Sequence, residues 1–294
     1  DNYHILFFIR FQHLRRRISK YDKVTKKIIL FEFPYFVNYL TFFKKKGFKI
    51  IYDIVDNITA FQDVPNFYSK FEQKLIKDAD LITISAKNLT KLVKKQQREG
   101  YYIPNAVDYQ HFIKARKQQP LPKDIPKVSN VIGYFGAILE WFDIDLLAYI
   151  AIQRPNYNFL LIGNITHSNL QKCRNFPNIF YLGVKKYQEL PIYLYHFDVA
   201  IIPIKYGYLR DSVNPVKVYE YLAGGKVVVA TNISEIQNFP YVLISKSKEE
   251  FLSNLDIALK THINYIEIDR FLEKNTWDER YKELLKKINL LYAR

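Results

Sequence analysis

Lys217 and Glu220 lie three residues apart in RDSVNPVKVYEYLAGGKVVVAT (210–231), a spacing that puts both on one face of a helix. Asn214 followed by Pro215 reads as an N-cap with a first-turn proline, so a helix is expected over 214–223, ended by the glycines of AGG (223–225). Lys217 then falls in the first turn, where a cation opposes the helix dipole. An anion held at that N-terminus would account for it, and a phosphate is the natural candidate. Glu220, one turn on, can accept two hydrogen bonds from a ribose diol. By spacing alone the two residues also read as a plain surface Lys–Glu pair, and both readings stay open here.

A second pair of carboxylates, Asp53 and Asp56, ends the β-rich run KIIYDIVD (49–56). They share one side of the pleat only if the strand breaks near Val55. A carboxylate at a strand's C-terminal edge beside a cleft can act as general base on an acceptor hydroxyl, and Asp56 is assigned that role. One of the two is expected to cap the following turn at Asn57 instead. The six His are scattered without metal spacing, and there is no phosphate-loop, GxGxxG or GxSxG motif. DID (143–145) stands at a helix start, where acids suit the dipole. No metal and no resident cofactor are expected.

These residues need rigid elements beneath them. In the first half, strands are expected at 27–33, 48–56, 80–85 and 100–107, with helices at 71–79 and 87–97. IKARKQQPLPKDIPKVSN (113–130), with three prolines and no apolar period, reads as a linker. Beyond it, buried strands are expected at 130–136, 157–163, 178–183, 198–204, 226–231 and 241–245, and helices near 143–154, 189–197, 214–223 and 248–261. This alternation means βαβ units and parallel sheets. The expected architecture is α/β: two Rossmann-like, doubly wound domains facing a cleft, residues 1–118 (short) and 119–267, with a charged helix over 268–294 that can cross back to the first domain. Ligands of such sheets bind at the carboxyl ends of the strands.

The 294 residues carry 44 Lys/Arg against 29 Asp/Glu, a formal charge of +15, so an anionic partner is expected. Residues 1–50 alone contribute +9, with RRR (15–17) and KKK (44–46) flanking FEFPYFVNYLTFF (31–43). That pattern suits a protein lying on an anionic membrane face; the other reading is a buried strand and helix with solvated lysines at their ends. A nucleic-acid binder would interleave basic and aromatic residues on one face, whereas this basic excess lies away from the Lys217 segment, so no nucleic acid is expected. Cys173 is the single cysteine, which fits a reducing compartment. With no run of about 18 apolar residues, the expected location is cytoplasmic, peripheral on the inner face of the cell membrane. The absence of Met and the start at Asp1 read as a chain trimmed at its ends or lacking internal stretches.

NPVKVYEYLAGGKVVVAT (214–231) resembles the donor-site helix of GT-B glycosyltransferases, specifically the glycosyltransferase family 4-like enzymes of teichuronic acid, capsule and exopolysaccharide synthesis. IIYDIVDNITAF (50–61), FEQKLIKDADLITISAKNL (71–89), IPNAVDYQHF (103–112), IGYFGAILEWFDIDLL (132–147), FLLIG (159–163) and DVAIIPI (198–204) agree with that group, in the same order. The resemblance implies a hexosyltransferase of retaining outcome. It would move a sugar from a nucleoside-diphosphate sugar, with UDP expected, to a glycan or lipid-linked saccharide. Glu220 would bind the donor ribose and is counted with Asp56 as catalytic. Lys217 would hold the diphosphate, with Arg210 or Lys205 and backbone N–H groups, and Asn214 stands beside them. Gly133, Phe135, Gly136 and Ala137 would form the loop that lets the backbone approach the donor. Gly183, Val184 and Lys185 would line the base pocket, with Tyr187 nearby. The pattern departs from the group where Ser212, next to Asp211, replaces a second glutamate, where EWFD (140–143) replaces a basic pair, and where Ala106 replaces the glycine of PNG. These departures keep a second reading open, a catalytically inactive GT-B subunit that supports a partner enzyme.

Overall fold

A computed structural model describes residues 26–58, 64–65, 67–205, 207 and 212–293. Its elements form two parallel sheets in two compact units. The first unit takes in the described residues up to Ile84, together with Thr90–Tyr101 and the chain from Leu285; the second comprises Ser85–Leu89 and Tyr102–Leu284.

In the first unit, β1 (Ile28–Phe31), β2 (Lys49–Ile54), β3 (Leu81–Ile84) and β4 (Tyr101–Tyr102) stand side by side in chain order. β1, β2 and β3 pair in parallel, with Leu30 opposite Ile51 and Asp53 opposite Thr83. β3 is buried along its whole length, as expected of a parallel strand covered on both faces. The strand expected over 100–107 is only two residues long, because Pro104 has no N–H to continue a ladder. Near the end of the chain, Tyr292 Oη donates to the Lys27 carbonyl at 2.8 Å.

The second unit holds β5 (Val131–Phe135), β6 (Asn158–Ile162), β7 (Ile179–Tyr181), β8 (Val199–Ile202), β9 (Val227–Thr231) and β10 (Val242–Ser245). Their spatial order is β10-β9-β8-β5-β6-β7, and every neighbouring pair is parallel. Counted from β5, this is the 3-2-1-4-5-6 order, whose direction of winding reverses between β5 and β8. Open sheets of this kind bind their ligands outside the carboxyl ends of the strands, near such a reversal. The helices Ile144–Gln153, His167–Cys173, Leu190–Tyr195, Val216–Ala223 and Lys248–Ala258 supply the crossovers and the outer layers. One core layer gathers Phe135, Leu160, Phe197 and Tyr221; the other gathers Phe142, Leu147, Phe159 and Phe251.

Two expectations about organisation change. Residues 113–130 do not run as a free linker: Ala115 and Ile125 are buried in the core, and Arg116 forms a two-pronged ion pair with Asp269 at 2.7 and 3.1 Å while its Nε donates to the Ala223 carbonyl. Nor is 268–294 one helix. Tyr265–Glu273 and Trp277–Ala293 are separate, because Val107 pairs with the backbone between them, donating to the Asn275 carbonyl and accepting from the Trp277 amide. Thr276 then caps the second helix through its hydroxyl.

Candidate functional site

At the reversal of the second sheet, β5 ends in Phe135 and the chain turns through Gly136 at φ +138°. The Gly136 amide donates to the Ile162 carbonyl at 2.8 Å, next to Gly163 at φ +132°. A Cβ on Gly163 would stand 2.0 Å from the Gly136 oxygen, so the two glycines let two strand ends close on each other. The helix Val216–Ala223 is fixed over this point. Tyr221 Oη accepts from the Phe135 amide at 2.9 Å, and its ring meets the Phe135 ring edge-on at 4.7 Å.

The helix begins one residue later than expected. Pro215, extended at φ −72° and ψ 113°, is the N-cap, and Asn214 makes no capping bond. Its carbonyl is instead held by Asn105 Nδ2 at 2.6 Å. The Asn214 carboxamide is buried with neither polar atom in a hydrogen bond, its polar neighbour being the Tyr219 phenol. Lys217 is therefore the second helical residue, still within the first turn.

Lys217 extends across Gly136, where a Cβ would lie 1.8 Å from its Cε and 2.6 Å from its Nζ. The ammonium lies 5.8 Å from the centre of the Tyr134 ring. Glu220, on the same side of the helix, is 7% exposed. Among the described residues neither the Lys217 nor the Glu220 side chain makes a hydrogen bond or an ion pair. Burial lowers the affinity of Lys217 for its proton, and Glu220 opposes that effect. Burial pushes the Glu220 carboxyl up to about 7, and Lys217 opposes it. A buried carboxylate without hydrogen bonds is costly, and groups of perturbed proton affinity that line a cavity are candidates for a ligand site. That removes the plain-surface-pair reading.

A cavity of about 240 Å³ opens over these groups, bounded by the Gly136 and Gly163 backbones, by Lys185, Lys217 and Glu220, and by Ile162 and Leu190 as an apolar wall. Phe135 and Val216 complete its lining. Lys185 reaches it while paired to Asp124 at 2.6 Å. Gly183, at φ +73°, and the exposed Val184 follow β7, and the Gly183 carbonyl accepts from the Gly163 amide at 2.9 Å. Tyr187 stacks on the His111 ring at 4.5 Å. Its phenol is pushed up to about 12 by burial, with the charges of Glu220 and Asp108 adding to the effect.

Of the residues singled out in the sequence, Phe135, Gly136, Lys185, Lys217 and Glu220 thus line one cavity. Ala137 follows directly, its carbonyl accepting from Tyr134 Oη at 3.0 Å. Gly133 lies inside β5, where the Phe197 ring fills the space a Cβ would need, 2.0 Å away. Arg210 and Asp211 fall outside the described residues; Ser212 is buried. Gly163 was not singled out, and its signal is the glycine that ends FLLIG.

Asp56 belongs to the first unit. β2 stops at Ile54, so the break near Val55 is present. Asp53 accepts from Thr83 Oγ1 at 2.6 Å, across to the neighbouring strand. Asp56 accepts no hydrogen bond among the described residues, and burial raises its proton affinity. Among the described residues no group of three or more His, Cys, Asp or Glu is placed to hold a metal ion, and no helix is long and apolar enough to cross a membrane.

Residues 129–258 match the family model described as "Glycosyl transferases group 1". The chain is 32% identical over 214 residues to "Putative teichuronic acid biosynthesis glycosyltransferase TuaH" of Bacillus subtilis (strain 168), which covers 66% of this chain and 53% of that protein. The chain therefore spans about half the length of the curated relative it matches. Among solved structures, a UDP-forming α,α-trehalose-phosphate synthase from Burkholderia xenovorans matches with a TM-score of 0.72 at 13% identity, covering 97% of this chain and 79% of its own. Sucrose-phosphate synthase from Thermosynechococcus elongatus matches at 0.71 and 14% identity, over 94% and 76%. Anabaena Alr3699/HepE in complex with UDP matches at 0.68 and 12% identity, over 94% and 81%. At these identities the likeness is one of fold, and the fold class is GT-B.

Proposed function

Taking residues 129–258 as a group 1 glycosyl transferase domain in a chain of GT-B fold, we propose that this protein is a glycosyltransferase. It moves a hexosyl group from a nucleoside-diphosphate sugar, UDP-linked, to a glycan or lipid-linked saccharide in cell-surface polysaccharide synthesis, with retention at the anomeric carbon. The observation that carries this reading is the half-buried Lys217 and the buried Glu220 at a helix N-terminus, their side chains unbonded among the described residues, over the close approach of Gly136 and Gly163. The name of TuaH and the UDP of the two matched structures support the choice of pathway class and nucleotide.

Each group has a role that its chemistry suits. The free amides of the helix start and the Lys217 ammonium hold the diphosphate and meet the charge that grows on it as the sugar–phosphate bond breaks. Glu220, as the carboxylate, accepts from the ribose diol. The backbone at Gly183–Lys185, with Tyr187 alongside, borders the base. Asp56 takes the proton of the acceptor hydroxyl, a task that its raised proton affinity favours. Diphosphate charge is met by these groups, with no resident metal. An anionic membrane face, on which a lipid-linked acceptor would be presented, is the further partner.

Incubation with a panel of nucleoside-diphosphate sugars tests the reading. Slow hydrolysis of one donor, accelerated by a saccharide acceptor, is the expected result. Nucleotide binding without any turnover would instead identify an inactive supporting subunit.

A further inference from the structure

The first unit carries an aromatic surface that the donor chemistry does not use. After β1 the chain passes Phe33 and enters a 3-10 turn, Pro34–Tyr39, that buries Val37 and Tyr39 and leaves its other side to solvent. Phe33 is 56% exposed, Tyr35 46%, Phe36 44%, and Phe67, at the start of the helix Phe67–Asp78, 49%. The rings of Tyr35, Phe36, Tyr68 and Phe67 are contiguous, and Phe33 precedes them in the chain. Tyr35 meets Phe36 edge-on at 5.5 Å and reaches Tyr68 at 6.4 Å, and Tyr68 stacks on Phe67 at 4.6 Å. Single exposed apolar residues need no explanation, but a connected cluster of this kind does.

The charges beside the cluster are almost all of one sign. Lys70, Lys74 and Lys77 follow Phe67 along the exposed side of its helix, and Lys44, Lys45 and Lys46 end the segment begun by the 3-10 turn. The acids on these two segments are Glu32, Asp78, which pairs with Lys44 at 3.3 Å, and Glu72, which is buried and accepts from Tyr52 Oη. We propose that the face formed by Phe33, Tyr35, Phe36 and Phe67 with its lysine rim is where the protein lies on an anionic bilayer. Aromatic rings settle at headgroup depth, and lysines need only reach a diffuse layer of lipid charge. Single-stranded nucleic acid fits less well. It wants open ring faces for its bases and favours Arg, whereas Phe67 and Tyr68 cover each other's faces and residues 26–84 contain no Arg.

This inference rests only on the membrane part of the function proposed above, and binding is read without turnover. Full-length protein is co-sedimented with phosphatidylcholine vesicles, with and without phosphatidylglycerol, across a salt series, and UDP affinity is titrated on the same samples. Wild type should bind the anionic vesicles and release with salt. A Phe33→Ser, Phe36→Ser, Phe67→Ser triple variant should lose about tenfold or more in partition, in keeping with the apolar area withdrawn from the membrane, and keep its UDP affinity. Lys70→Glu with Lys74→Glu, which touches no packed ring, should lose binding to anionic vesicles alone. Partition unchanged in the Lys pair variant, equal binding to neutral and anionic vesicles, or a single-stranded RNA that binds more tightly and depends on the same residues would each overturn the proposal. Loss of UDP affinity with vesicle binding intact would count against the donor site alone.

Discussion

The Lys217 side chain occupies the space above Gly136 that any other residue would fill: a Cβ there would lie 1.8 Å from Lys217 Cε. The two positions are therefore one device, a glycine that makes room and a cation that uses the room. Gly136→Ala should displace Lys217 and lower nucleoside-diphosphate affinity about tenfold or more, the scale of a charge-assisted hydrogen bond. At φ +138° the alanine also costs stability, roughly 1 kcal/mol or more. Gly133→Ala is the contrast. It drives into the Phe197 ring in the core and should lower the melting temperature further, with ligand affinity preserved in whatever fraction stays folded. Calorimetric titration beside thermal unfolding separates the two effects.

Glu220 makes stability depend on pH in a stated direction. Its carboxyl is raised from an ordinary 4.5 to about 7 in the folded protein, so the folded state binds the proton more tightly than the unfolded chain. That contribution is fully present below pH 4.5 and is lost as pH rises through 7, by up to about 3 kcal/mol. Lys217, Tyr187 and Tyr221 are the titratable groups coupled to it among the described residues. Urea midpoints for unliganded protein should fall between pH 5 and pH 8, and Glu220→Gln should flatten that fall. Uridine affinity should move the other way, strengthening as the carboxylate forms. An unchanged slope in Glu220→Gln would show that another group sets the profile.

Much of this arrangement was legible in the sequence because parallel strands buried on both faces announce themselves as unbroken Val/Ile/Leu runs. VVVAT and FLLI fall where β9 and β6 lie, and the glycines of AGG close the helix that carries Lys217 and Glu220. What stayed hidden depends on partners far along the chain. The break at Asn275–Thr276 is made by Val107, the order of the Pro-rich stretch by Arg116 reaching Asp269, and the packing role of Gly133 by Phe197. Asn214 before Pro215 reads as a cap, yet Asn105 holds its carbonyl and Pro215 takes the capping position.

Asn105→Ala removes the donor that holds the Asn214 carbonyl just before the helix, at a cost of about 0.5–1.5 kcal/mol. UDP affinity should fall several-fold as the helix start loosens. Asn105→Asp should be worse than alanine, since a carboxylate cannot donate to a carbonyl and repels it. If aspartate binds UDP as well as wild type, the contact does not position the site.

Asp56→Asn should leave UDP affinity nearly unchanged and lower turnover with acceptor, because the residue belongs to the other unit from the donor cavity. Donor hydrolysis by water should fall less than transfer. Full transferase activity in this variant would reduce Asp56 to a turn residue.

Lys217 and Glu220 are expected to grip the two halves of one nucleotide. Titrating UDP and uridine into wild type, Lys217→Ala and Glu220→Ala measures it directly. Lys217→Ala should weaken UDP by roughly 1.5–3 kcal/mol and uridine hardly at all, because only the diphosphate meets the ammonium. Glu220→Ala should weaken both ligands alike, by a loss of similar order, because both carry the ribose. If both variants bind UDP as wild type does, the helix Val216–Ala223 does not hold the donor.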